Sequence, residues 1–260
     1  MKKIALIFCR YNSKRFSGKI LKKFKEKNII DIIFENLKKS NQIDMIMVAT
    51  TTNPEDKKIY NYCKKKNYPC YRGSELNLFK RAYDATKKYN PKLLIRITGD
   101  NPFTSSEILD FLVKKHIKSK ADFTCANKKE LPVGVCPEII SFQAIKKILK
   151  KKINFIYTEH MRYYFTNNTK IFEIKKINPL KKFKTKIKNL RLTIDYKKDF
   201  HFIKKILNLL EKHSLEAKLN NIYKILYQYP KLRNVRVKSP NEHIQDIKLI
   251  EKIKIFSTIK

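Results

Sequence analysis

The chain reads Ile-Ala-Leu-Ile-Phe over residues 4–8 and Cys-Arg-Tyr-Asn-Ser-Lys-Arg-Phe-Ser-Gly-Lys over residues 9–19. The apolar run predicts a buried strand, and the residues after it predict a loop that carries Arg10, Arg15 and Lys19. In an open α/β sheet, ligands bind beside the carboxyl ends of the strands. Guanidinium groups donate paired hydrogen bonds and a lysine supplies a mobile positive charge, which together suit a polyphosphate. The stretch therefore predicts a strand followed by a loop that binds a nucleoside triphosphate.

The same cluster of cations also arises easily by chance. The chain has 60 Lys and Arg among 260 residues, so many windows of this length contain several. The loop has one glycine, Gly18, and lacks the spacings G-x-x-x-x-G-K-[ST] and G-x-G-x-x-G. Those two kinds of phosphate loop are therefore excluded, and support for the interpretation must come from later segments.

Strand-like and helix-like patterns alternate along the chain. This order predicts an α/β fold with a Rossmann-like, mostly parallel sheet and helices on both faces. The sequence predicts strands at residues 4–8, 45–49, 68–71, 93–97, 122–126, 170–175 and 190–195. It predicts helices at residues 29–39, 54–67, 75–88, 105–118, 142–151, 157–165 and 198–212.

Composition argues against several classes of partner. The formal net charge is +37, but lysine is spread over nearly every predicted helix surface and is not gathered with aromatic residues, as a groove for nucleic acid requires. The densest basic run, residues 175–188, is predicted to be a solvated loop. The five cysteines include no C-x-x-C pair, and no apolar run approaches the length of a membrane span. We therefore expect a cytoplasmic protein without nucleic-acid binding or membrane insertion.

Two carboxylates stand at the ends of predicted strands. Asp100 follows the strand at residues 93–97, and Asp195 ends the strand at residues 190–195. We expect both side chains to project from one edge of the sheet toward the cationic loop. Magnesium takes a few carboxylates and completes its octahedron with phosphate oxygens and water, so the pair predicts a Mg²⁺ site. Each residue alone also suits a structural role, Asp100 as a turn residue before Pro102 and Asp195 as a helix cap.

Seven segments, in this order, resemble the motifs of one enzyme family. The family's A-R-x-x-S-x-R-L-P-G-K is matched by residues 9–19, except that Cys9, Phe16 and Ser17 replace its Ala, Leu and Pro. Its V-A-T-T is matched by residues 48–51 and its R-G-S by residues 72–74. Its R-x-T-G-D-x-P is matched by residues 96–102, and a Gly followed by a Glu by Gly134 and Glu138. Its E-H is matched by Glu159 and His160, and R-L-T-x-D by residues 191–195. The chain is thus similar to the cytidylyltransferases that activate acidic sugars, the acylneuraminate and 3-deoxy-manno-octulosonate type. It resembles most the branch of the spore-coat polysaccharide synthesis protein F.

The resemblance covers about the first 210 residues and implies a glycosyltransferase-A-like nucleotidyltransferase fold. We expect residues 1–230 to form this domain and residues 231–260 to form a C-terminal tail of unknown role. The implied reaction transfers CMP from CTP to an acceptor and releases pyrophosphate, with Mg²⁺ as cofactor. Members of the family often form homodimers, which the sequence alone does not test.

The resemblance also implies roles for individual residues. It assigns the triphosphate to Arg10, Ser13, Arg15 and Lys19, and the base or ribose to Arg72 and Ser74. It assigns magnesium to Asp100 and Asp195. The acceptor side is assigned to Gly134, Glu138, Glu159 and His160, with His160 as a proton acceptor or hydrogen-bond donor. A lone His beside a Glu at a helix start is also often only a cap or a packed polar pair.

Three functions stay open from the sequence. The first is the cytidylyltransferase, whose acceptor is a nonulosonic acid, an octulosonate, or an unrelated hydroxyl or phosphate compound. The second is a glycosyltransferase with a similar sheet. The acidic residue at the end of the strand argues against it, because that residue stands in T-G-D-x-P and not in a D-x-D pair. The third is a basic RNA- or membrane-associated protein without catalysis, which the scattered lysines disfavour.

Overall fold

The computed structural model describes residues 2–13, 15–127, 131–151, 154–184, 187, 189–233 and 240–259. Lys14 of the cationic loop and residues 185, 186 and 188 of the basic run lie outside this part. The strands are β1 Lys3–Phe8, β2 Lys23–Phe24, β3 Lys27–Asn28, β4 Met45–Thr51, β5 Cys70–Gly73, β6 Leu93–Thr98, β7 Phe123–Ala126, β8 Glu138–Ser141 and β9 Ile174–Ile177. The helices are α1 Ile29–Lys38, α2 Lys57–Lys65, α3 Leu78–Thr86, α4 Ser106–Ser119, α5 Phe142–Leu149, α6 Met161–Thr166, α7 Lys197–Lys212, α8 Leu219–Gln228 and α9 Pro240–Ser257.

A seven-stranded sheet, in the order β5-β4-β1-β6-β8-β7-β9, forms the centre of the described chain. The four strands from β5 to β6 run parallel to one another, while β8 pairs antiparallel to both β6 and β7. Phe8 at the end of β1 lies beside Ala49 of β4 and Thr98 of β6. The loops that follow β1 and β6 therefore leave the sheet at the same edge.

Helices cover both faces of the sheet. One apolar core lies between the sheet and α1, α2, α4, α7 and α8, and the other lies beneath α3, α5 and α6. Residues 4–7 of β1 are fully buried because the strand is covered on both faces, which explains its unbroken apolar run. Side chains of Asn77, Ser105 and Ser141 cap α3, α4 and α5, each accepting a bond from a backbone N–H in the first turn. The predicted α/β fold with helices on both faces is confirmed.

The structure differs from the prediction at three segments. The strand predicted at residues 170–175 begins only at residue 174, as β9 Ile174–Ile177. Residues 190–195 form no strand of the sheet, because their backbone pairs in pieces with two different loops. Leu192 N donates to Val133 O at 2.7 Å, and Ile194 N donates to Asp100 O at 2.8 Å. Conversely, β8 Glu138–Ser141 is a strand of the sheet at a place where the sequence analysis predicted none.

The helix α9 packs against α6 through its last turn. Ile253 and Ser257 are buried, and Asn168 Nδ2 donates to the Ser257 carbonyl oxygen at 2.8 Å. Asn167 Nδ2 donates to Ser257 Oγ at 2.7 Å. The predicted boundary at residue 230 stays a prediction, and residues 253–259 are held against the domain. No helix within the described ranges has the length and apolar character needed to span a membrane.

Candidate active site

The loop after β1 is held by contacts within itself and with the loop after β4. Tyr11 N donates to the buried carboxylate of Asp56, which also accepts from Thr51 N at 3.1 Å. Gly18 N donates to Tyr11 O at 2.8 Å. Gly18 has a φ of 67° and a Cβ there would lie 3.1 Å from the Tyr11 ring, so glycine suits this turn. These contacts fix the path of the backbone from which Arg10, Arg15 and Lys19 project.

Asp100 is brought to this loop by a close approach of two backbones. Gly99 N donates to Phe8 O at 2.9 Å, and a Cβ on Gly99 would lie 2.6 Å from the Cβ of Cys9. Only glycine allows the loop after β6 to pass so near the end of β1. Residues 193–195 then reach Asp100 through the bonds from Ile194 N and from Thr193 Oγ1 to its carbonyl oxygen.

The cations of the early loop and the two distant aspartates meet in one cleft. Arg15 Nη2 lies 2.5 Å from Asp195 Oδ1, and Lys19 Nζ lies 3.3 Å from Asp100 Oδ2. Lys19 Nζ also donates to Ile194 O at 2.6 Å. A further guanidinium, that of Arg191, lies 2.5 Å from Asp195 Oδ2. The convergence expected from the sequence is present, while the roles given to these residues stay predictions.

A cavity of about 210 Å³ opens beside the two aspartates. Gly134 forms part of its wall with a φ of 103°, and a Cβ there would lie 2.6 Å from Leu192 O. Side chains larger than hydrogen are therefore excluded at this position by both conformation and space. The lining residues are Arg96, Ile97, Thr98, Asp100, Asn101, Thr104, Pro132, Val133, Gly134, Cys136, Glu138, Thr193 and Asp195.

The far side of the cavity is built around Arg96, a residue that sequence reasoning did not select. Its Nη1 donates to Glu138 Oε2 at 2.9 Å, and its Nη2 donates to Glu159 O at 2.7 Å. Glu138 is buried, so the ion pair with Arg96 keeps its charge compensated. The Arg96 Nε is buried and has no acceptor within the described residues. Arg96 stands two residues before the T-G-D segment, and this position is the sequence signal by which it could have been selected.

Glu159 and His160 form the rim of the same side. Arg10 Nη2 lies 3.4 Å from Glu159 Oε2, and His160 Nε2 lies 3.7 Å from Glu159 Oε1. Burial lowers the pKa of His160, the Glu159 carboxylate opposes that shift, and the Arg96 guanidinium reinforces it. His160 is therefore mostly neutral at pH 7 and can accept a proton.

Arg72 and Ser74 are engaged in holding loops. Arg72 donates to the carbonyl oxygens of Thr51, Thr52 and Asn53 at 2.7–3.0 Å. Ser74 Oγ accepts from Asn77 N at 3.1 Å, at the start of α3. Neither residue lines the cavity. Their assignment to the base or ribose stays a prediction, and the structure gives both a positioning role.

Ser13 is half-buried in the loop after β1, and its backbone N–H donates to Tyr11 O.

Sequence reasoning also missed two buried charged residues beneath the loops. Asp56, interpreted as part of a helix start, anchors Tyr11 of the cationic loop. Arg81 of α3 is buried and donates to the carbonyl oxygens of Ala49, Ser74 and Glu75. Burial lowers the pKa of Arg81 to about 10, so it still carries its charge at pH 7. It therefore adds a fixed positive charge under the site.

The residues present fit a magnesium ion that is shared with a nucleotide. Asp100 and Asp195 both line the cavity, and their carboxylate oxygens are the hard ligands that Mg²⁺ prefers. Within the described residues there is no group of three or more His, Cys, Asp or Glu side chains that forms an all-protein metal site. Two carboxylates suffice when phosphate oxygens and water supply the other positions.

Comparison with known proteins identifies the family of the chain. The model of the cytidylyltransferase family matches residues 4–231. The chain is 28% identical to the spore coat polysaccharide biosynthesis protein SpsF of Bacillus subtilis over 204 residues, which make up 76% of this chain and 83% of that protein. It is 29% identical over 187 residues to the 3-deoxy-manno-octulosonate cytidylyltransferase of Chlamydia pneumoniae, covering 68% of this chain and 66% of that enzyme.

A solved structure of a cytidylyltransferase from Leptospira borgpetersenii is similar along almost the whole chain. The TM-score is 0.80 at 27% sequence identity, and the match covers 92% of this chain and 100% of that one. The family resemblance predicted from the seven motifs is therefore confirmed, and the chain belongs to the cytidylyltransferase family.

Proposed function

We propose that the protein transfers CMP from CTP to a sugar acid, with release of pyrophosphate and with Mg²⁺ as cofactor, for the synthesis of a surface polysaccharide or glycoconjugate. One observation carries the proposal. Arg15 and Lys19 of the early loop contact Asp195 and Asp100, which are far apart in the sequence and line one cavity at the carboxyl ends of parallel strands. The similarity to SpsF and to the octulosonate enzyme supports the substrate class.

The chemistry is an in-line displacement at the α-phosphate. An acceptor hydroxyl forms the new P–O bond, the bond between the α-phosphorus and the bridging oxygen breaks, and pyrophosphate leaves with the electron pair. Arg10, Arg15 and Lys19 would hold the triphosphate and neutralise charge that builds on the leaving group. Asp100 and Asp195 would hold magnesium, which supplies further neutralisation when bound.

The acceptor would lie against the wall formed by Gly134 and Glu138. His160 is placed at the rim beside Glu159, and its lowered pKa leaves the imidazole free to take the proton of the attacking hydroxyl. Arg96 bonds to the Glu138 carboxylate and to the Glu159 carbonyl oxygen, so it positions both the wall and the rim. Catalysis in this arrangement depends mainly on positioning and on charge compensation.

A pyrophosphate-release assay tests the proposal. The purified protein is incubated with each of the four NTPs, Mg²⁺ and a panel of nonulosonic acids, octulosonates, neutral sugars and sugar phosphates. We expect release with CTP and an acidic sugar. Hydrolysis of a nucleotide sugar without pyrophosphate release would instead indicate a glycosyltransferase, and salt-sensitive RNA binding alone would indicate a protein without catalysis.

Two further parts of the proposal concern where and how the protein works. We infer a cytoplasmic location, because the proposed reaction consumes CTP. Homodimer formation stays a prediction based on the family. Light scattering coupled to size-exclusion chromatography measures the assembly directly.

A further inference from the structure

Each aspartate assigned to magnesium already has a cation of the protein against it. Lys19 Nζ lies 3.3 Å from Asp100 Oδ2, and Arg15 Nη2 lies 2.5 Å from Asp195 Oδ1. The proposed function assigns the same two cations to the triphosphate. Arg15 and Lys19 therefore have two competing sets of anionic partners within one cleft.

The two cationic partners of Asp195 differ in how exposed their side chains are. Arg191 lies on its Oδ2 from the same segment of chain, with 16% of the Arg191 side chain exposed. Arg15 comes from the loop after β1 and 53% of its side chain is exposed. An ion pair made by an exposed side chain contributes little free energy, so Arg15 can leave at low cost while Arg191 stays.

Of the two contacts of Lys19, the one with Asp100 is the weaker, because Nζ lies 3.3 Å from Asp100 Oδ2 and 2.6 Å from Ile194 O. Lys19 is the more buried of the two cations, with 11% of its side chain exposed, but its ammonium sits at the end of a flexible four-carbon chain. A triphosphate carries more negative charge than a single carboxylate and offers both cations several charge-assisted hydrogen bonds. A triphosphate in the cleft would therefore draw Arg15 and Lys19 away from the aspartates.

The charge balance links this movement to the metal. A cation a few ångströms from a carboxylate repels a divalent ion and reduces the negative charge available to hold it. Once Arg15 and Lys19 face phosphate, each carboxylate has one cation fewer against it, and Asp195 is left with Arg191 on its Oδ2. We propose that Arg15 and Lys19 are exchangeable counter-cations, which neutralise Asp195 and Asp100 until a triphosphate binds, so that the aspartates hold a divalent ion only together with the nucleotide. The inference rests on the proposed function and adds a coupling between its two ligands.

Titration with Mn²⁺ alone tests the coupling without any turnover. Free Mn²⁺ is measured by electron paramagnetic resonance in solutions of the full chain, with no nucleotide added. We expect weak binding by the wild type, and binding about 5- to 10-fold tighter by Arg15→Gln, which lies within the usual range of coupling between two sites. Adding Asp195→Asn to Arg15→Gln should abolish the gain.

Lys22→Gln is the matched control, because it removes one positive charge from the same region. Lys22 is exposed and its Nζ lies 5.9 Å from the Phe16 ring. This variant should bind Mn²⁺ like the wild type. Lys19→Met gives a second measurement and should also tighten Mn²⁺ binding, with loss of the gain in the presence of Asp100→Asn. Thermal melting curves establish that each variant is folded. Because Arg15 is exposed, its variant is the one in which we expect the smallest loss of stability.

The proposed coupling is overturned if the wild type binds Mn²⁺ as tightly as folded Arg15→Gln does and both lose binding with Asp195→Asn. The same holds if neither Arg15→Gln nor Lys19→Met changes the affinity. Pyrophosphate release by the wild type tests the proposed function separately. Release with CTP and an unchanged Mn²⁺ affinity in the variants rejects the coupling alone, while absence of any CTP binding rejects both.

Discussion

The two sides of the cleft hold their charged groups in different ways. On the loop side, Arg15 is half exposed and reaches Asp195 from a segment without regular secondary structure. On the opposite side, Arg96 and Glu138 form an ion pair between neighbouring strands, with 13% and 5% of their side chains exposed. The first pair can exchange partners with a ligand, while the second is part of the wall. Under the proposed assignment of these residues, nucleotide binding would use the movable charges and acceptor recognition the fixed ones.

The strongest test of the loop side is Asp100→Asn. The variant keeps the size of the side chain and an acceptor for Lys19, but it loses the negative charge. We expect turnover with Mg²⁺ to fall by about 10³-fold, since the loss of one group that stabilises the transition state has effects of this size. The melting temperature should stay nearly unchanged. A large loss of stability with residual turnover would show that Asp100 is structural.

The corresponding test of the fixed side is Arg96→Met. It leaves the buried carboxylate of Glu138 without its partner, and breaking a buried ion pair in this way costs about 3–5 kcal/mol. Chemical denaturation measures the free energy of unfolding. The double variant Arg96→Met with Glu138→Gln should recover a large part of the loss. Equal stability of the single and double variants would argue that the pair is not fixed.

His160→Gln examines the rim between the two sides. If the imidazole accepts the acceptor's proton, turnover should fall by about 10²-fold, within the range known for general bases. Because the pKa of His160 is lowered from 6.5, the wild-type rate should stay level above pH 6.5 and decline only as the pH drops through the lowered pKa. His201→Gln, an exposed histidine of α7, is the control. If the His160→Gln variant keeps the pH profile of the wild type, His160 has a structural role and does not accept the proton.

The smallest expected effect concerns the affinity for the nucleotide. Arg15→Ala should weaken CTP binding by about 10-fold, which corresponds to roughly 1.4 kcal/mol, because other cations of the loop remain. Isothermal titration calorimetry in the presence of Mg²⁺ gives the dissociation constant, and Lys22→Ala serves for comparison. Wild-type affinity in Arg15→Ala would remove this guanidinium from the binding site.

Much of the fold was accessible from the sequence, because the parallel strands are buried on both faces and appear as apolar runs. β1, β4 and β6 are confirmed close to their predicted limits. Residues 190–195 show why such patterns have limits. Their alternating apolar residues report burial, but the partner of a backbone N–H is not encoded locally. The segment bonds to loops and not to a strand.

The site was predictable as far as its residues stand in short motifs. Arg15, Lys19, Asp100 and Asp195 were selected by type and position, and they do converge. Arg81 and Asp56 were not, because their function is visible only through contacts with segments distant in the sequence. In a chain with 60 Lys and Arg, the sequence alone does not show which arginine is buried beneath the site.

The docking of α9 has a practical consequence. The helix α6 begins directly after His160, and the last turn of α9 is bonded to Asn167 and Asn168 at the other end of that helix. A truncated fragment that stops at residue 230, as the predicted boundary invites, would strip these amides of their partners and uncover the apolar surface beneath Ile253. Protein engineered for crystallisation should therefore retain residues up to 259, and a purification tag is better fused at the opposite terminus.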